Sequence, residues 1–206
     1  MVKIFHIHPK NPQLRLIQEA ANIIGRGGVA VYPTDSAYAL GCQLGNKMAA
    51  ERIRLLRNLG QEHNFTLMCR DLSEIAIYAK IDSSIFRWLK TNTPGPYTYI
   101  LPATKEVPRR LQHPKRKTIG IRVPDNPIIQ ALLTELGTPL MSVTLILPPT
   151  NETVADPEEC YEQLENRVDL IIEGGFCGTM PTTVVDFLNN QPLIVRTGKG
   201  DPTPFI

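Results

Sequence analysis

Strand-like and helix-like runs alternate through most of this 206-residue chain, and then the alternation stops. Residues 168–172, 183–187 and 193–196 all read as strands, with no helical period between them. Such an order predicts a mixed rather than purely parallel sheet, with helices packed on its faces, in the mixed α/β (α+β) class. Repeats, low-complexity segments and convincing linkers are absent from the sequence, so residues 1–206 are expected to form one domain. A hydrophobic content of 42% is enough for a sizeable core.

The earlier runs can be placed one by one. Alternation over residues 3–8 suits a short strand, and Asn11-Pro12 reads as an N-cap and first helical residue ahead of the stripe Leu14, Ile17, Ala21, Ile24. Gly27-Gly28 stops that helix, and Val29-Ala30-Val31 forms a buried strand ended by Pro33, which has no N–H to donate. Helices are predicted over 47–57, 72–79, 83–90, 127–136 and, acidic in character, 157–166. Strands are predicted over 65–69, 97–101, 118–123 and 140–147, the last broken by Pro148-Pro149. No apolar run approaches the roughly 20 residues of a membrane helix, and the N-terminus lacks a signal-peptide pattern, so a cytoplasmic location is expected. Cys42, Cys69, Cys160 and Cys177 form no C-x-x-C pair and read as core fillers in a reducing compartment.

Charge is unevenly spread. The chain carries 22 basic and 20 acidic residues, yet residues 105–122 hold seven cations (Lys105, Arg109, Arg110, Lys115, Arg116, Lys117, Arg122) against Glu106 alone. Residues 151–173 carry eight carboxylates against Arg167. A concentrated cationic segment attracts phosphate, and without Phe, Tyr or Trp in it any RNA contact would be led by shape and backbone, as for duplex or folded RNA. The alternative is a solvated loop.

Three further places could carry chemistry. Thr34, Asp35, Ser36 and Tyr38 follow a central strand, where polar side chains meet ligands in open sheets, although the same residues also make ordinary side-chain-capped turns. Thr93-Pro94-Gly95-Pro96-Tyr97-Thr98 is a stiff turn able to set Thr98 and backbone amides against an anion. Arg122 and Arg196 each sit late in a strand beside a loop, where a planar fork suits phosphate and where a surface ion pair is the plainer reading. His6 and His8 share a strand face without a third ligand, and no metal site is expected. P-loop, G-x-S-x-G and H-E-x-x-H patterns are absent, which excludes a Walker-type nucleotide site.

The strings at residues 32–41, 94–98, 119–124, 181–186 and 195–198 stand in an order and spacing that resembles the YrdC-like family. The likeness is nearest to its YciO branch, through Asn64-Phe65-Thr66-Leu67-Met68-Cys69-Arg70-Asp71-Leu72, Lys105-Glu106-Val107-Pro108-Arg109-Arg110-Leu111 and Lys115-Arg116-Lys117-Thr118-Ile119-Gly120. The resemblance implies a twisted mixed sheet of about seven strands with a concave basic face. It also implies threonylcarbamoyl-AMP synthase chemistry: threonine, bicarbonate and ATP with Mg²⁺ give threonylcarbamoyl-AMP and pyrophosphate, for a modification of tRNA. By matched position Thr34 would contact the threonine and Tyr38 line its pocket. Thr118 and Arg122 would face carboxylate or phosphates, and Thr144, Thr183 and Arg196 would lie along the nucleotide. Thr34, Arg57 and Arg122 are the candidate catalytic residues, while Lys105, Arg109, Arg110, Lys115, Arg116 and Lys117 are candidates for double-stranded RNA or tRNA.

The sequence departs from the synthase pattern at three places. The family's Lys-x-Arg falls on Arg57-Asn58-Leu59, its Ser-x-Asn on Thr144-Leu145-Ile146, and its strand-end His on Met68. A weak or divergent synthase is therefore one expectation. An RNA-binding protein without the chemistry is the second, and a related adenylate-forming reaction on another amino acid is the third.

Overall fold

In the computed structural model, described here for residues 2–60, 63–149, 152–189 and 191–206, ten strands form one sheet. They are β1 (Lys3–His6), β2 (Ala30–Tyr32), β3 (Ala39–Gln43), β4 (Thr66–Met68), β5 (Tyr97–Pro102), β6 (Thr118–Arg122), β7 (Leu140–Thr144), β8 (Leu170–Glu173), β9 (Thr183–Asp186) and β10 (Leu193–Arg196). Their order is β1-β8-β2-β3-β7-β4-β6-β5-β9-β10. The pairs β1/β8, β2/β8, β4/β6 and β5/β9 are parallel and the other five antiparallel, so the sheet is mixed, as the chain order predicts. The count exceeds the expected seven. One reason is β3, over which the sequence predicts no element and which is held extended between β2 and β7. Gly41 is required there: a Cβ would lie 2.6 Å from the Tyr32 hydroxyl, which donates instead to Ser142 Oγ at 2.7 Å.

Six α-helices accompany the sheet among the described residues: α1 (Leu14–Gly25), α2 (Lys47–Arg57), α3 (Leu72–Tyr78), α4 (Ser83–Asn92), α5 (Pro127–Leu136) and the short α6 (Tyr161–Leu164). Side-chain caps fix several starts. Asn46, Asp71, Asp82 and Asn126 each accept amides of their own first turn, and Gly137 closes α5 in the left-handed region. Two predicted boundaries are corrected. Asn11 does not cap α1: the helix starts at Leu14, with Gln13 at the N-cap position and no side-chain cap hydrogen bond, while the His8 ring Nδ1 holds the preceding turn through the amides of Lys10 and Asn11. The acidic run 157–166 is no single helix: Asp156 caps a 3₁₀ turn over Pro157–Cys160, and α6 follows it briefly before Asn166 turns left-handed. The strand predicted over 140–147 ends at Thr144, where Leu145 N–H turns to the Tyr38 carbonyl. No helix among the described residues is long and apolar enough to cross a membrane.

Helix placement leaves part of the sheet bare. On one face Leu67, Tyr99, Leu101, Ile119, Ile121, Met141 and Val185 pack with Ile53 and Leu56 of α2, Ile75 of α3 and Leu89 of α4. On the other face Ile17 and Ile24 of α1 and Ile128 and Leu132 of α5 cover Ala30, Tyr32, Leu170, Ile172, Leu140 and Met68. Fully buried Ile24 and Leu132 each contribute about 1.5–3 kcal/mol by leaving water. This second layer ends at Met68 and Leu140, so the same face of β7, β4, β6, β5 and β9 continues beyond it without a helix. Of the three cysteines whose side chains are described, all free, Cys42 and Cys69 are buried in the core and Cys177 is half-buried. The Cys160 side chain lies outside the described residues.

Candidate functional site

The bare face of the sheet is the floor of a cavity of about 360 Å³. Side chains alternate across a strand, so Thr66 and Met68 of β4, Thr118, Gly120 and Arg122 of β6, Thr98 and Ile100 of β5, Ser142 and Thr144 of β7 and Val184 of β9 share this face. Loops supply the walls: Thr34, Ser36, Ala37 and Tyr38 after β2, Arg57 at the end of α2, His63 and Asn64 before β4, His113 and Arg116 before β6, and Pro181 and Thr182 before β9. Arg196 of β10 completes the lining.

Among the described lining residues are four arginines and two histidines, with no Asp or Glu. Arg122 is buried and ion-paired through Nη2 with Asp35, and the same nitrogen lies 3.5 Å from Thr34 Oγ1. Arg116 pairs with buried Asp186. Both carboxylates stand outside the lining and hold the forks from behind. Arg57 Nη1 donates to Ile146 O at 3.0 Å, and Arg196 donates to Thr182 O from Nε at 3.2 Å and Nη2 at 2.9 Å and from Nη2 to Thr182 Oγ1 at 3.3 Å. Among the described residues no carboxylate pairs with either of these arginines. Burial pushes the pKa of Arg57, Arg122 and Arg196 down, but guanidinium stays protonated in proteins. The buried Nε groups of Arg57 and Arg122 have no hydrogen-bond partner among the described residues. A desolvated donor left unpaired costs about 1–3 kcal/mol.

The Thr34 turn combines both readings of its sequence. Thr34 Oγ1 donates to Ala37 O at 2.6 Å and accepts the amides of Ser36 and Ala37, as a capped turn does, and Thr34 lines the cavity as well. Tyr38 lines it too, with its hydroxyl donating to Gly175 O at 2.8 Å and accepting from Gly174 N. That phenol is raised above its ordinary pKa by burial and keeps its proton.

Of the predicted binding residues, Thr34, Arg57, Tyr38, Thr118, Arg122, Thr144 and Arg196 come together around this cavity. Thr183 does not line it: its buried hydroxyl donates to Gly200 O at 2.5 Å and accepts Gly198 N–H at 2.9 Å. Gly198 is obligatory in that knot, since a Cβ there would collide with the Pro181 carbonyl oxygen. The neighbouring Thr182 lines the cavity instead, 2.8 Å from Thr98 Oγ1. Lys105, Arg109, Arg110, Lys115 and Lys117 are exposed outside the cavity, with Arg110 donating to Gly45 O; Arg116 is exposed as well, but lines the cavity. Leu59 packs at the edge of the core, while Met68 and Ile146 line the cavity. Sequence reasoning missed Thr66, Ser142, Thr182, His63 and His113 as lining residues. The signal for the first two was the alternation itself, as in Thr66-Leu67-Met68 and Ser142-Val143-Thr144. No group of three or more His, Cys, Asp or Glu able to hold a metal occurs among the described residues.

The fold agrees with the family comparisons. A Sua5/YciO/YrdC family model, described as "Telomere recombination", matches residues 22–198, and the chain belongs to that family. YciO of Escherichia coli K12 is 57% identical over 206 residues, covering 100% of both chains, and its crystal structure superposes with a TM-score of 0.95. A threonylcarbamoyl-AMP synthase of Idiomarina loihiensis is 32% identical over 178 residues, 84% of this chain and 94% of that one. Pyrococcus abyssi Sua5, crystallised with L-threonine, shares the fold at a TM-score of 0.87 and 22% identity, over 96% of this chain and 58% of that one. The resemblance read from the sequence motifs is borne out, including its YciO branch.

Proposed function

We propose that the cavity binds ATP, entering with Mg²⁺, beside a threonine-like amino acid, and forms threonylcarbamoyl-AMP at a low rate. The observation that carries this reading is the set of four arginines lining a closed-in floor without a single lining carboxylate among the described residues. A polyanion is what such a surface stabilises. With no lining carboxylate to ligate it, Mg²⁺ would be held by phosphate oxygens and water, as it commonly is beside nucleotides. The synthase named above and the Sua5 protein crystallised with L-threonine support the choice of substrates.

The reaction needs no side-chain nucleophile. Threonine amine and bicarbonate condense to N-carboxythreonine with loss of water. A carbamate oxygen then forms a bond to the α-phosphorus, and the bond to the bridging oxygen breaks to release pyrophosphate. Catalysis rests on alignment and on cations near the displaced charge. In this reading Arg57, Arg122 and Arg196 face phosphates, Thr118 and Thr144 flank the nucleotide, and Thr34 and Tyr38 shape the amino-acid end. Thr183 acts indirectly, by fixing the chain around Thr182. The low rate follows from Leu59 and Ile146, where a cation and an amide are missing. A closed site that lacks one charge-assisted hydrogen bond forgoes about 2–4 kcal/mol of transition-state stabilisation, or roughly 30- to 1000-fold in rate. The whole chain is read as one catalytic unit working in the cytoplasm.

Incubation with ATP, threonine, bicarbonate and Mg²⁺ should release pyrophosphate only when threonine is present. Turnover that Arg196→Ala leaves unchanged would refute the assignment. A second reading, double-stranded RNA or tRNA binding without the chemistry, is favoured by the exposed Lys105, Arg109, Arg110, Lys115 and Lys117. Neutralising Lys105, Arg109 and Lys115 together should then flatten the salt dependence of RNA binding, and no binding at low salt dismisses it.

A further inference from the structure

We infer that Arg116 is a phosphate-contacting residue of the nucleotide site, positioned by Asp186 and His113. This rests on the nucleotide reading of the cavity. The sequence groups Arg116 with five other cations of one solvated run, yet of those six only Arg116 lines the cavity.

The chain on both sides of Arg116 is pinned. His113 Nδ1 accepts the amides of Lys115 at 3.3 Å and Arg116 at 3.1 Å, and the His113 carbonyl accepts Lys117 N–H at 2.9 Å. Lys117 adopts φ 55°, a left-handed conformation uncommon for a residue with a Cβ, and returns the chain to β6. Ala103 N–H then holds the Lys117 carbonyl at 2.9 Å, and His113 N–H holds that of Thr118 at 2.8 Å. A loop that merely scattered cations into solvent would not need this frame.

The guanidinium is aimed as firmly as the backbone. Its Nη2 meets Asp186 Oδ2, while Asp186 Oδ1 accepts Leu188 N–H at 2.8 Å. The Asp186 side chain is 6% exposed against 38% for Arg116, so the carboxylate is a buried anchor and the fork is its accessible end. One nitrogen on the anchor leaves the remaining N–H groups of the fork to face the cavity. Asp186 stands opposite Ile100, and Ile100 opposite Gly120, so the anchor is level with the middle of the floor. Arg122 lies two residues further along β6, about 7 Å at the usual strand rise, and two strands across from β9, about 10 Å at the usual strand spacing. Two forks at separate levels can grip separate phosphates of one triphosphate.

If Arg122 serves the phosphate nearest the nucleoside, Arg116 serves those beyond it, and its loss should discriminate ATP from AMP. Calorimetric titration of the full chain with ATP and with AMP, at fixed Mg²⁺ and salt, tests this for the native protein, Arg116→Gln, Arg116→Lys and Asp186→Asn. Arg116→Gln is expected to weaken ATP at least tenfold and AMP less than threefold. Arg116→Lys should recover part of the loss, and Asp186→Asn should fall between them with a melting temperature followed in parallel. Equal weakening of ATP and AMP by both Arg116 variants, or unchanged ATP affinity, overturns the inference while leaving the nucleotide reading intact. Arg116→Gln lowering affinity for a 20-base-pair RNA duplex but not for ATP returns the residue to an RNA face and also overturns it. Native protein that binds neither nucleotide removes the underlying reading itself.

Discussion

Replacing Arg122 by Gln should expose how this cavity is held together. The Arg122 and Asp35 side chains are 6% and 10% exposed, and their ion pair is the anchor between β6 and the Thr34 turn. Removing one member of a buried pair leaves the other charge desolvated and costs about 3–5 kcal/mol. For a chain of this length each kcal/mol shifts the melting temperature by about 2–4 °C, so the fall should be about 6–20 °C. The double variant Asp35→Asn/Arg122→Gln removes both charges and should regain most of that loss, since a neutral pair carries no stranded charge. Urea denaturation gives both numbers from the shift in midpoint at constant slope. Pyrophosphate release should stay abolished in the double variant although its stability returns, which separates the scaffold role of the pair from its role toward phosphate. A loss below about 1 kcal/mol for Arg122→Gln, or a double variant no more stable than the single, would refute the reasoning.

Other consequences are simpler to check. A Cβ on Gly120 would meet Thr66 Oγ1 at 3.4 Å and Thr98 Cγ2 at 3.5 Å, ordinary contacts, so Gly120→Val should fold; its two methyls would rise from the floor and lower ATP affinity at least tenfold by calorimetry. Glu74 is buried at the first turn of α3, where desolvation raises its carboxyl pKa above the ordinary 4.5 while it accepts Arg70 N–H at 2.6 Å. The folded chain thus holds that proton more tightly than the unfolded chain, and the stabilising contribution present at acid pH is lost as pH rises through the raised value. Glu74→Gln keeps an acceptor and should raise the melting temperature at pH 7 but not at pH 3.5. Asn126→Ala removes the acceptor for Ile128 and Ile129 N–H at the start of α5 and should cost about 1 kcal/mol, read as a melting temperature about 2–4 °C lower with turnover retained.

The parts of this molecule that were legible in the sequence are those fixed by local chemistry. The helix over 127–136 has Asn126 before it, Pro127 at its first position and Gly137 after it, and it forms over those residues. The strand at 193–196 and the absence of helices between the last three strands were equally plain. Local chemistry misled at Asn11-Pro12, which His8 ties into a turn ahead of α1 while the helix itself starts two residues later at Leu14. It was silent where only tertiary clamping makes a strand, as in β3. For the site, matched motifs name seven residues that share one cavity, four of them on strands of fixed register and the others on the turn after β2 and the end of α2. The same matching could not say whether Thr182 or Thr183 faces inward, since adjacent strand residues point to opposite sides. Nor could it separate Arg116 from its exposed neighbours, because what distinguishes it is Asp186, 70 residues away.

The central claim is that this face of the sheet holds a nucleoside triphosphate among its arginines. A crystal structure with a non-hydrolysable ATP analogue and L-threonine tests it most directly. The account predicts phosphates within hydrogen-bond reach of Arg57, Arg122 and Arg196, and the amino acid beside Thr34 and Tyr38. Analogue bound on another surface while the three arginines keep only their protein partners, or no analogue at millimolar concentration, would contradict it.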